Sequence, residues 1–284
     1  MATTELEVGL LVKLEVEQGP EAAIQKVHDY DFTVCHISTY EPATYSTENA
    51  ERLRAASAKF GVRMAALWAG WPGRRVWDLM EGPETIGLVP YDVRDERAEL
   101  VKTGATFAAE LGIPTVITHL GFIPEDPKDE RYTSLIPLLR EIGQHCAQRD
   151  QHLCFETGQE TPVTLLRVIE DIDLPNIGVN LDPANLLLYG KGNPVDAVDV
   201  LGRFIRGVHV KDGKYPTNGR DLGLETSVGE GSVDFPRLLR RLWVTGYRGE
   251  LCIESEFKGE AQLREIDKAK VALERWLAEL DRTT

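Results

Sequence analysis

The sequence predicts an α/β protein, a single (β/α)₈ TIM barrel that spans residues 1–284. Three observations carry this prediction. Short β-rich segments alternate with amphipathic helical segments, which is the pattern of βα units around a parallel sheet. Eight such units can be counted, and the length of 284 residues is close to the about 250 that a barrel of this type needs. No Ser/Gly-rich linker or break in composition divides the chain, so we expect one domain.

The predicted elements follow one another in regular order along the chain. The strands are expected at about residues 7–14, 31–38, 63–70, 115–122, 152–159, 177–182, 205–212 and 249–255. Helical spacing of apolar residues is clear in residues 46–60, 92–111, 134–148, 162–171, 234–244 and 260–281. Pro162 after Thr161 and Pro236 after Asp234 are typical of the first turn of a helix.

Two connections are longer than a barrel requires. They are Trp71–Tyr91 after the third strand and Gly213–Val233 after the seventh. Both follow the C-terminal end of a strand, the face where barrel enzymes have their active sites. We therefore expect both loops near the functional site, where they could also serve as a lid or as the interface of a homo-oligomer.

Composition and charge exclude several classes of protein. The 46 acidic and 32 basic residues give a net charge of -14, which argues against a nucleic-acid binder. The sequence contains no apolar run of about 20 residues, so we expect no membrane span. It has no basic start followed by an apolar segment, so we expect no signal peptide. The four scattered cysteines are expected to be reduced, buried thiols, so we expect a cytoplasmic protein.

Four of the late strands each end on a potential metal ligand. These ligands are Glu156, Asp182, His209 and Glu254. Along each strand the ligand alternates with branched or aromatic apolar residues, and in a barrel the apolar set faces the helices. All four candidates are therefore expected to point into the mouth of the barrel.

Three inward carboxylates would repel one another, and burial of each costs free energy unless it is paired or bound to a metal. A divalent cation is the simplest compensation. The oxygen-rich set with one imidazole suits Mn²⁺ best, with Mg²⁺ or Co²⁺ as alternatives, rather than a structural zinc. A salt-bridged acid at a strand end would explain any one of these residues, but it does not explain four with the same parity.

The segments that carry these ligands resemble the xylose isomerase-like TIM barrel superfamily. They are Phe155–Glu160 (FETGQE), Asn180–Asn185 (NLDPAN), Val208–Asp212 (VHVKD) and Cys252–Glu254 (CIE). Within the superfamily they are most similar to the sugar phosphate isomerase/epimerase group, which includes ketose 3-epimerases and inosose-processing enzymes. The similarity covers nearly the whole chain. The order Glu, Asp, His, Glu is fairly specific for the superfamily but does not identify a substrate.

This resemblance implies that the four side chains bind Mn²⁺ or a similar ion. It also implies that Glu156 and Glu254 are the catalytic acid/base pair, which exchange the proton beside a carbonyl through an enediolate. Many relatives have a His three residues after the Asp of the sixth strand, whereas this chain has Asn185. An Asn can hydrogen-bond a substrate hydroxyl but cannot titrate.

Five further residues are candidates for substrate binding beside Asn185. They are Trp68, His119, Glu160, Lys211 and Arg220. Each has a structural alternative: packing for Trp68, a hydrogen-bonded residue of the barrel mouth for His119, a helix N-terminal acid for Glu160, an ion pair for Lys211 and a solvated loop charge for Arg220.

These features favour a metal-dependent isomerase or epimerase that acts on a small sugar or polyol. A lyase or dehydratase that acts on an inosose or a keto-glycoside shares the first step and remains open. A nuclease of the endonuclease IV type would need a His-rich site, and this chain has six His and an acidic net charge. A binding protein without catalysis would not need two flanking glutamates.

Overall fold

Eight parallel strands close into a barrel in the computed structural model, which describes residues 6–281. The described residues contain ten strands, of which eight form the barrel. In chain order they are β1 (Glu7–Lys13), β2 (Val34–Thr39), β3 (Arg63–Ala69), β4 (Thr115–Thr118), β5 (His152–Glu156), β6 (Ile177–Leu181), β7 (Ile205–Val210), β8 (Asp212–Lys214), β9 (Leu224–Thr226) and β10 (Glu250–Ile253). Strands β8 and β9 form a separate antiparallel hairpin, and β10 closes the barrel between β7 and β1. The predicted (β/α)₈ fold is confirmed.

Helices surround this barrel. They are α1 (Pro20–Asp29), α2 (Thr47–Phe60), α3 (Gly82–Thr85), α4 (Tyr91–Glu110), α5 (Glu130–Ala147), α6 (Pro162–Ile172), α7 (Pro183–Leu188), α8 (Pro194–Leu201), α9 (Phe235–Val244) and α10 (Glu260–Asp281). Thr161 and Asp234 accept hydrogen bonds from the backbone N–H groups of the first turns of α6 and α9, as expected of N-caps. Among residues 6–281, no helix is both long and apolar enough to cross a membrane.

The alternation of side chains along the strands separates the core from the site. Leu153, Phe155, Val208 and Val210 are buried in the apolar layer between the strands and the helices. Cys154 belongs instead to a second, smaller cluster, together with Ala66, Trp68, Trp71 and Ile117. Residues of opposite parity therefore lie in different layers, and the barrel interior holds this small cluster beside polar side chains such as Glu156 and His209.

The loop after β7 is organised by one buried carboxylate. Asp212 Oδ1 accepts hydrogen bonds from the backbone N–H groups of Gly213 (2.8 Å) and Val233 (3.0 Å), and its Oδ2 accepts from those of Gly229 (2.9 Å) and Gly231 (3.0 Å). A Cβ at Gly231 would lie 2.1 Å from Asp212 Oδ1, so only glycine fits there. The predicted long loop is therefore an ordered hairpin whose two ends are bound to one side chain.

The loop after β3 is held by a buried arginine of α4. Arg97 donates to the carbonyl oxygens of Gly87 (2.7 Å) and Thr85 (2.9 Å), and its guanidinium lies 4.9 Å from the centre of the Trp71 ring. These contacts cross-link residues 71–91 to the helix that follows. Both long loops are thus fixed at the C-terminal face of the barrel.

We predict that Asp212→Asn lowers the free energy of unfolding by about 3 kcal/mol, because the Asn amide nitrogen would face backbone N–H donors that then have no acceptor. Urea unfolding monitored by circular dichroism measures this change. Asp221→Asn, an exposed change in the same loop, is the matched control and should alter stability by less than about 0.5 kcal/mol. Equal stability of the two variants would show that the Asp212 contacts do not hold the loop.

Candidate active site

The structure brings four of the predicted residues together at the C-terminal ends of neighbouring strands. Glu156 ends β5, Asp182 directly follows β6, His209 lies in β7 and Glu254 directly follows β10. One ligand atom from each of the four lies within 4.8 Å of the others. Glu156, Asp182 and His209 are buried, and Glu254 is partly accessible from the mouth of the barrel.

Short ion-pair contacts link this cluster to Lys211. His209 Nδ1 lies 2.6 Å from Glu156 Oε1 and 2.9 Å from Glu254 Oε2. Lys211 Nζ lies 2.9 Å from Asp182 Oδ2 and 3.3 Å from Glu254 Oε1. The imidazole therefore lies between the two glutamates, and the ammonium lies on the Asp182 side.

These contacts set the ionisation of the cluster. Burial raises the pKa of Asp182 to about 7, although Lys211 opposes this shift. Burial also raises the pKa of Glu254, but Lys211 and His209 outweigh it and hold this pKa well below its usual value. For His209, burial lowers the pKa, while Glu156 and Glu254 raise it more strongly, to about 10. Without a metal ion, a proton on His209 supplies part of the positive charge that the carboxylates need.

The donor set fits a divalent cation. Asp182 Oδ2 and Glu254 Oε2 are buried, and neither meets a partner in hydrogen-bond geometry among the described residues, despite the short distances to Lys211 and His209. Three carboxylates carry three negative charges, and one divalent cation plus Lys211 balances them when His209 is neutral. A bound cation would therefore take the place of the proton on His209 and would give Asp182 Oδ2 and Glu254 Oε2 the partner that they lack.

A cavity of about 590 Å³ opens directly above the cluster. Glu156 and Glu254 line it, and so do four of the predicted substrate-binding residues, namely Trp68, His119, Asn185 and Lys211. Trp68 Nε1 donates a hydrogen bond to Glu156 Oε2, and His119 Nε2 lies 3.2 Å from the same oxygen. Trp68 and His119 thus hold one oxygen of Glu156, while His209 contacts the other.

Two of the predicted substrate-binding residues lie elsewhere. Glu160 is buried beside the cavity rather than in its lining, and burial raises its pKa to about 8. Arg220 is exposed near the tip of the loop after β7, where its backbone N–H donates to Asn218 Oδ1 (2.9 Å). The Asp212 contacts fix both ends of this loop, and its residues Leu222 and Glu225 line the cavity in place of Arg220.

Sequence reasoning missed several side chains that line the cavity, among them Tyr40, Trp77, Gln159 and Tyr189. Gln159 is 1% exposed, and its amide lies near the Tyr189 hydroxyl, where it opposes the rise that burial causes in the pKa of Tyr189. Neither amide atom, however, has a partner in good hydrogen-bond geometry among the described residues. The ring of His119 lies between two tryptophans, with centroids 5.5 Å from Trp68 and 5.3 Å from Trp77. Gln159 lies in the FETGQE segment that was quoted for the resemblance. Its position between Glu156 and Glu160, two candidate site residues, was the signal available in the sequence.

Comparison with known proteins identifies the family. The chain belongs to the xylose isomerase-like TIM barrel family, whose sequence profile matches residues 24–280. The crystal structure of a xylose isomerase domain protein from Planctomyces limnophilus is 31% identical, with a TM-score of 0.85 and 98% of each chain covered. A D-tagatose 3-epimerase-like protein is 21% identical, with a TM-score of 0.77, and the match covers 97% of this chain and 99% of that protein. The resemblance inferred from the sequence motifs is confirmed.

A relative with a named activity is more distant. The inosose dehydratase of Geobacillus thermodenitrificans is 23% identical over 194 residues, which cover 57% of this chain and 64% of the dehydratase. The chain spans 64% of the length of the curated relatives that it matches.

We predict that Mn²⁺ affinity rises about tenfold per pH unit between about pH 7 and pH 8, where one proton is displaced, and more steeply below pH 7, approaching about a hundredfold per unit, where two are displaced. In the metal-free protein, His209 with a pKa of about 10 and Asp182 with a pKa of about 7 bind protons in this interval. The cation must displace those protons, so a lower pH weakens binding. Dissociation constants from chelator competition at several pH values measure the slope. The Asp182→Asn variant is the control and should lose the part of the slope near pH 7, whereas a flat wild-type profile would contradict the assignment.

Proposed function

We propose that this protein is a divalent-metal-dependent isomerase or epimerase that acts on a ketose or a modified sugar through an enediolate. One observation carries the proposal: the buried Glu156 and the partly accessible Glu254 both line the cavity and contact the same imidazole nitrogen of His209. They project from β5 and β10, which are separated by β6 and β7 around the barrel. The two carboxylates therefore approach the cavity from different sides.

The reaction begins with a proton transfer from the carbon beside the substrate carbonyl. Lys211 and His209 hold the pKa of Glu254 well below its usual value against the effect of burial, so this carboxylate is ionised. Because it also lines the cavity, we assign it as the group that accepts the proton. The electron pair of the broken C–H bond moves into the enediolate. A proton that Glu156 takes up from solvent and delivers to the opposite face of the same carbon inverts its configuration, while Glu254 releases the proton it accepted to solvent. Return of the proton from Glu254 to the neighbouring carbon would instead complete an isomerisation.

The surrounding side chains support this chemistry. A divalent ion, when bound, supplies Lewis-acid polarisation of the carbonyl and its neighbouring hydroxyl. Lys211, buried beside Glu254, places a positive charge where the enediolate becomes negative. Trp68 and His119 orient Glu156 through contacts with its Oε2 atom.

The ligand chemistry favours Mn²⁺, with Mg²⁺ or Co²⁺ as alternatives, because three of the four donors are carboxylates. The cavity combines the aromatic surfaces of Trp68, Trp77 and Tyr189 with the amides of Gln159 and Asn185. A site with apolar walls and a few polar groups suits a small sugar or polyol. The cytoplasmic location and a homo-oligomeric state stay predictions.

A metal-dependent lyase or dehydratase that acts on an inosose or a keto-glycoside is the second candidate. Asn185 keeps it open, because this residue, which lines the cavity where many relatives have a His, cannot titrate, and the similarity to an inosose dehydratase supports it. The first proton transfer would be the same. The enediolate would then expel a neighbouring hydroxyl or glycosidic oxygen instead of accepting a proton at carbon.

A screen of ketoses, inososes and 3-keto-glycosides in D₂O with added Mn²⁺, followed by NMR, separates the two candidates. Deuterium incorporation without loss of a fragment supports the isomerase or epimerase. Release of water or of an aglycone supports the lyase. A bound metal without hydrogen exchange on any of these compounds would contradict both.

We predict that Glu156→Gln and Glu254→Gln each slow hydrogen exchange by about 10²–10⁴-fold, because a glutamine cannot accept or return the proton. Deuterium incorporation by NMR measures the rate, and metal analysis of each variant separates loss of the base from loss of the ion. Glu170→Gln, an exposed change on α6, is the control and should exchange at the wild-type rate. A fully active Glu156 or Glu254 variant would exclude that residue as acid or base.

We also predict that Gln159→Leu raises KM by up to about tenfold with a smaller effect on kcat, because it removes the amide that faces the cavity. Steady-state kinetics on the substrate found in the screen measure both constants. Gln144→Leu, an exposed change on α5, is the control. An unchanged KM would show that Gln159 does not contact the substrate.

A further inference from the structure

A column of buried polar side chains runs through the barrel below the candidate metal centre. His36, in β2, is fully buried, and its Nδ1 lies 3.1 Å from His209 Nε2. The other nitrogen of His36, Nε2, lies 3.1 Å from Glu250 Oε1. Neither His36 nor Glu250 lines the cavity, so neither has a direct role in substrate binding.

The two nitrogens of His209 face different partners. Its Nδ1 lies between Glu156 and Glu254, and its Nε2 faces His36. The nitrogen available to a cation is therefore Nδ1. A neutral imidazole that offers one nitrogen to a metal carries its proton on the other.

This geometry fixes the direction of every hydrogen bond in the column. With its proton on Nε2, His209 donates to Nδ1 of His36, which must then be unprotonated. His36 carries its own proton on Nε2 and donates it to Glu250 Oε1. When both imidazoles are neutral and His209 Nδ1 is free for the cation, this arrangement of protons makes a hydrogen bond of both the His209–His36 contact and the His36–Glu250 contact.

The column ends on an anchored carboxylate at the opposite end of the barrel. Glu250 begins β10 and pairs in register with Glu7 of β1. Arg63 Nη2 lies 2.6 Å from Glu7 Oε2 and 3.9 Å from Glu250 Oε2. Glu250 is thus held as an acceptor by a cation on one side and by His36 on the other.

We propose that His36 and Glu250 are positioning residues for the metal ion: they hold His209 in the tautomer and ring orientation that present Nδ1 to the cation. This inference rests on the proposed function only in that it takes the four clustered side chains as metal ligands. A carboxylate that accepts a hydrogen bond from the N–H of a metal-binding imidazole makes the other ring nitrogen a stronger metal ligand, and loss of such a partner lowers metal affinity by about 10–100-fold. In this chain a second imidazole lies between the carboxylate and the ligand.

Co²⁺ binding by the full-length metal-free protein tests the proposal without an activity assay. Chelator competition gives the dissociation constant, and the visible d–d spectrum reports the coordination geometry. We expect His36→Leu and Glu250→Gln to weaken Co²⁺ binding by about tenfold or more and to change the spectrum. In His36→Gln, the side-chain oxygen can accept from His209 and the amide can donate to Glu250, so this variant should recover most of the affinity.

Glu7→Gln is the matched control for Glu250→Gln. It removes the other carboxylate bound to Arg63 but none of the contacts with His36, so it should leave both Co²⁺ affinity and spectrum unchanged. Circular dichroism identifies any variant that fails to fold, and the isosteric Glu250→Gln and His36→Gln then carry the test. Wild-type affinity and an unchanged spectrum in both His36→Leu and Glu250→Gln would overturn the proposal, as would an equal loss in Glu7→Gln. Co²⁺ binding by wild type without hydrogen exchange on any sugar would contradict the proposed function alone.

Discussion

Three carboxylates, those of the buried Glu156 and Asp182 and of the partly accessible Glu254, lie together at the mouth of the barrel, and the need to neutralise them constrains the rest of the site. Lys211 supplies one positive charge from the neighbouring strand end. The remaining two charges match one divalent cation with a neutral His209. Without the cation, a proton on His209 takes part of its place. The pKa of about 10 for this imidazole and the candidate metal site are therefore two consequences of one charge imbalance.

The barrel makes this concentration of charge tolerable because its strands alternate between two environments. Val208 and Val210 pack into the apolar layer under the helices, and His209 between them is turned into the interior. A side chain in the interior can meet others from across the barrel, so His36 of β2 reaches His209 of β7. Outward residues stabilise the fold by burial, while inward residues are free to carry polar chemistry along the axis.

This division explains how much the sequence could predict. The parity of Leu153, Cys154, Phe155 and Glu156 is a local property, and it predicted both the strand and the inward direction of the ligand. The fold of the long loops is not local: Asp212 binds four backbone N–H groups, three of which lie more than fifteen residues away. No pattern within the loop reports such contacts, so the sequence could not decide between substrate binding and a solvated loop charge for Arg220. The pairing of His36 with His209 depends on barrel closure in the same way.

The candidate metal ligands and the residues of the cavity wall would have different roles in the proposed reaction. In the proposed reaction, proton removal beside a carbonyl would depend on the four candidate ligands, on Lys211 and on the contacts that orient Glu156. All of these come from strand ends or from residues next to them. The fate of the enediolate depends on what faces the neighbouring oxygens, and there the wall comes largely from connections, with Trp77 after β3, Gln159 after β5 and Asn185 in α7. A barrel of this kind can therefore keep the same first step while changes in its loops replace reprotonation by elimination. In the proposed reaction, the four clustered side chains would determine the class of chemistry, and the residues of the cavity wall would determine the product.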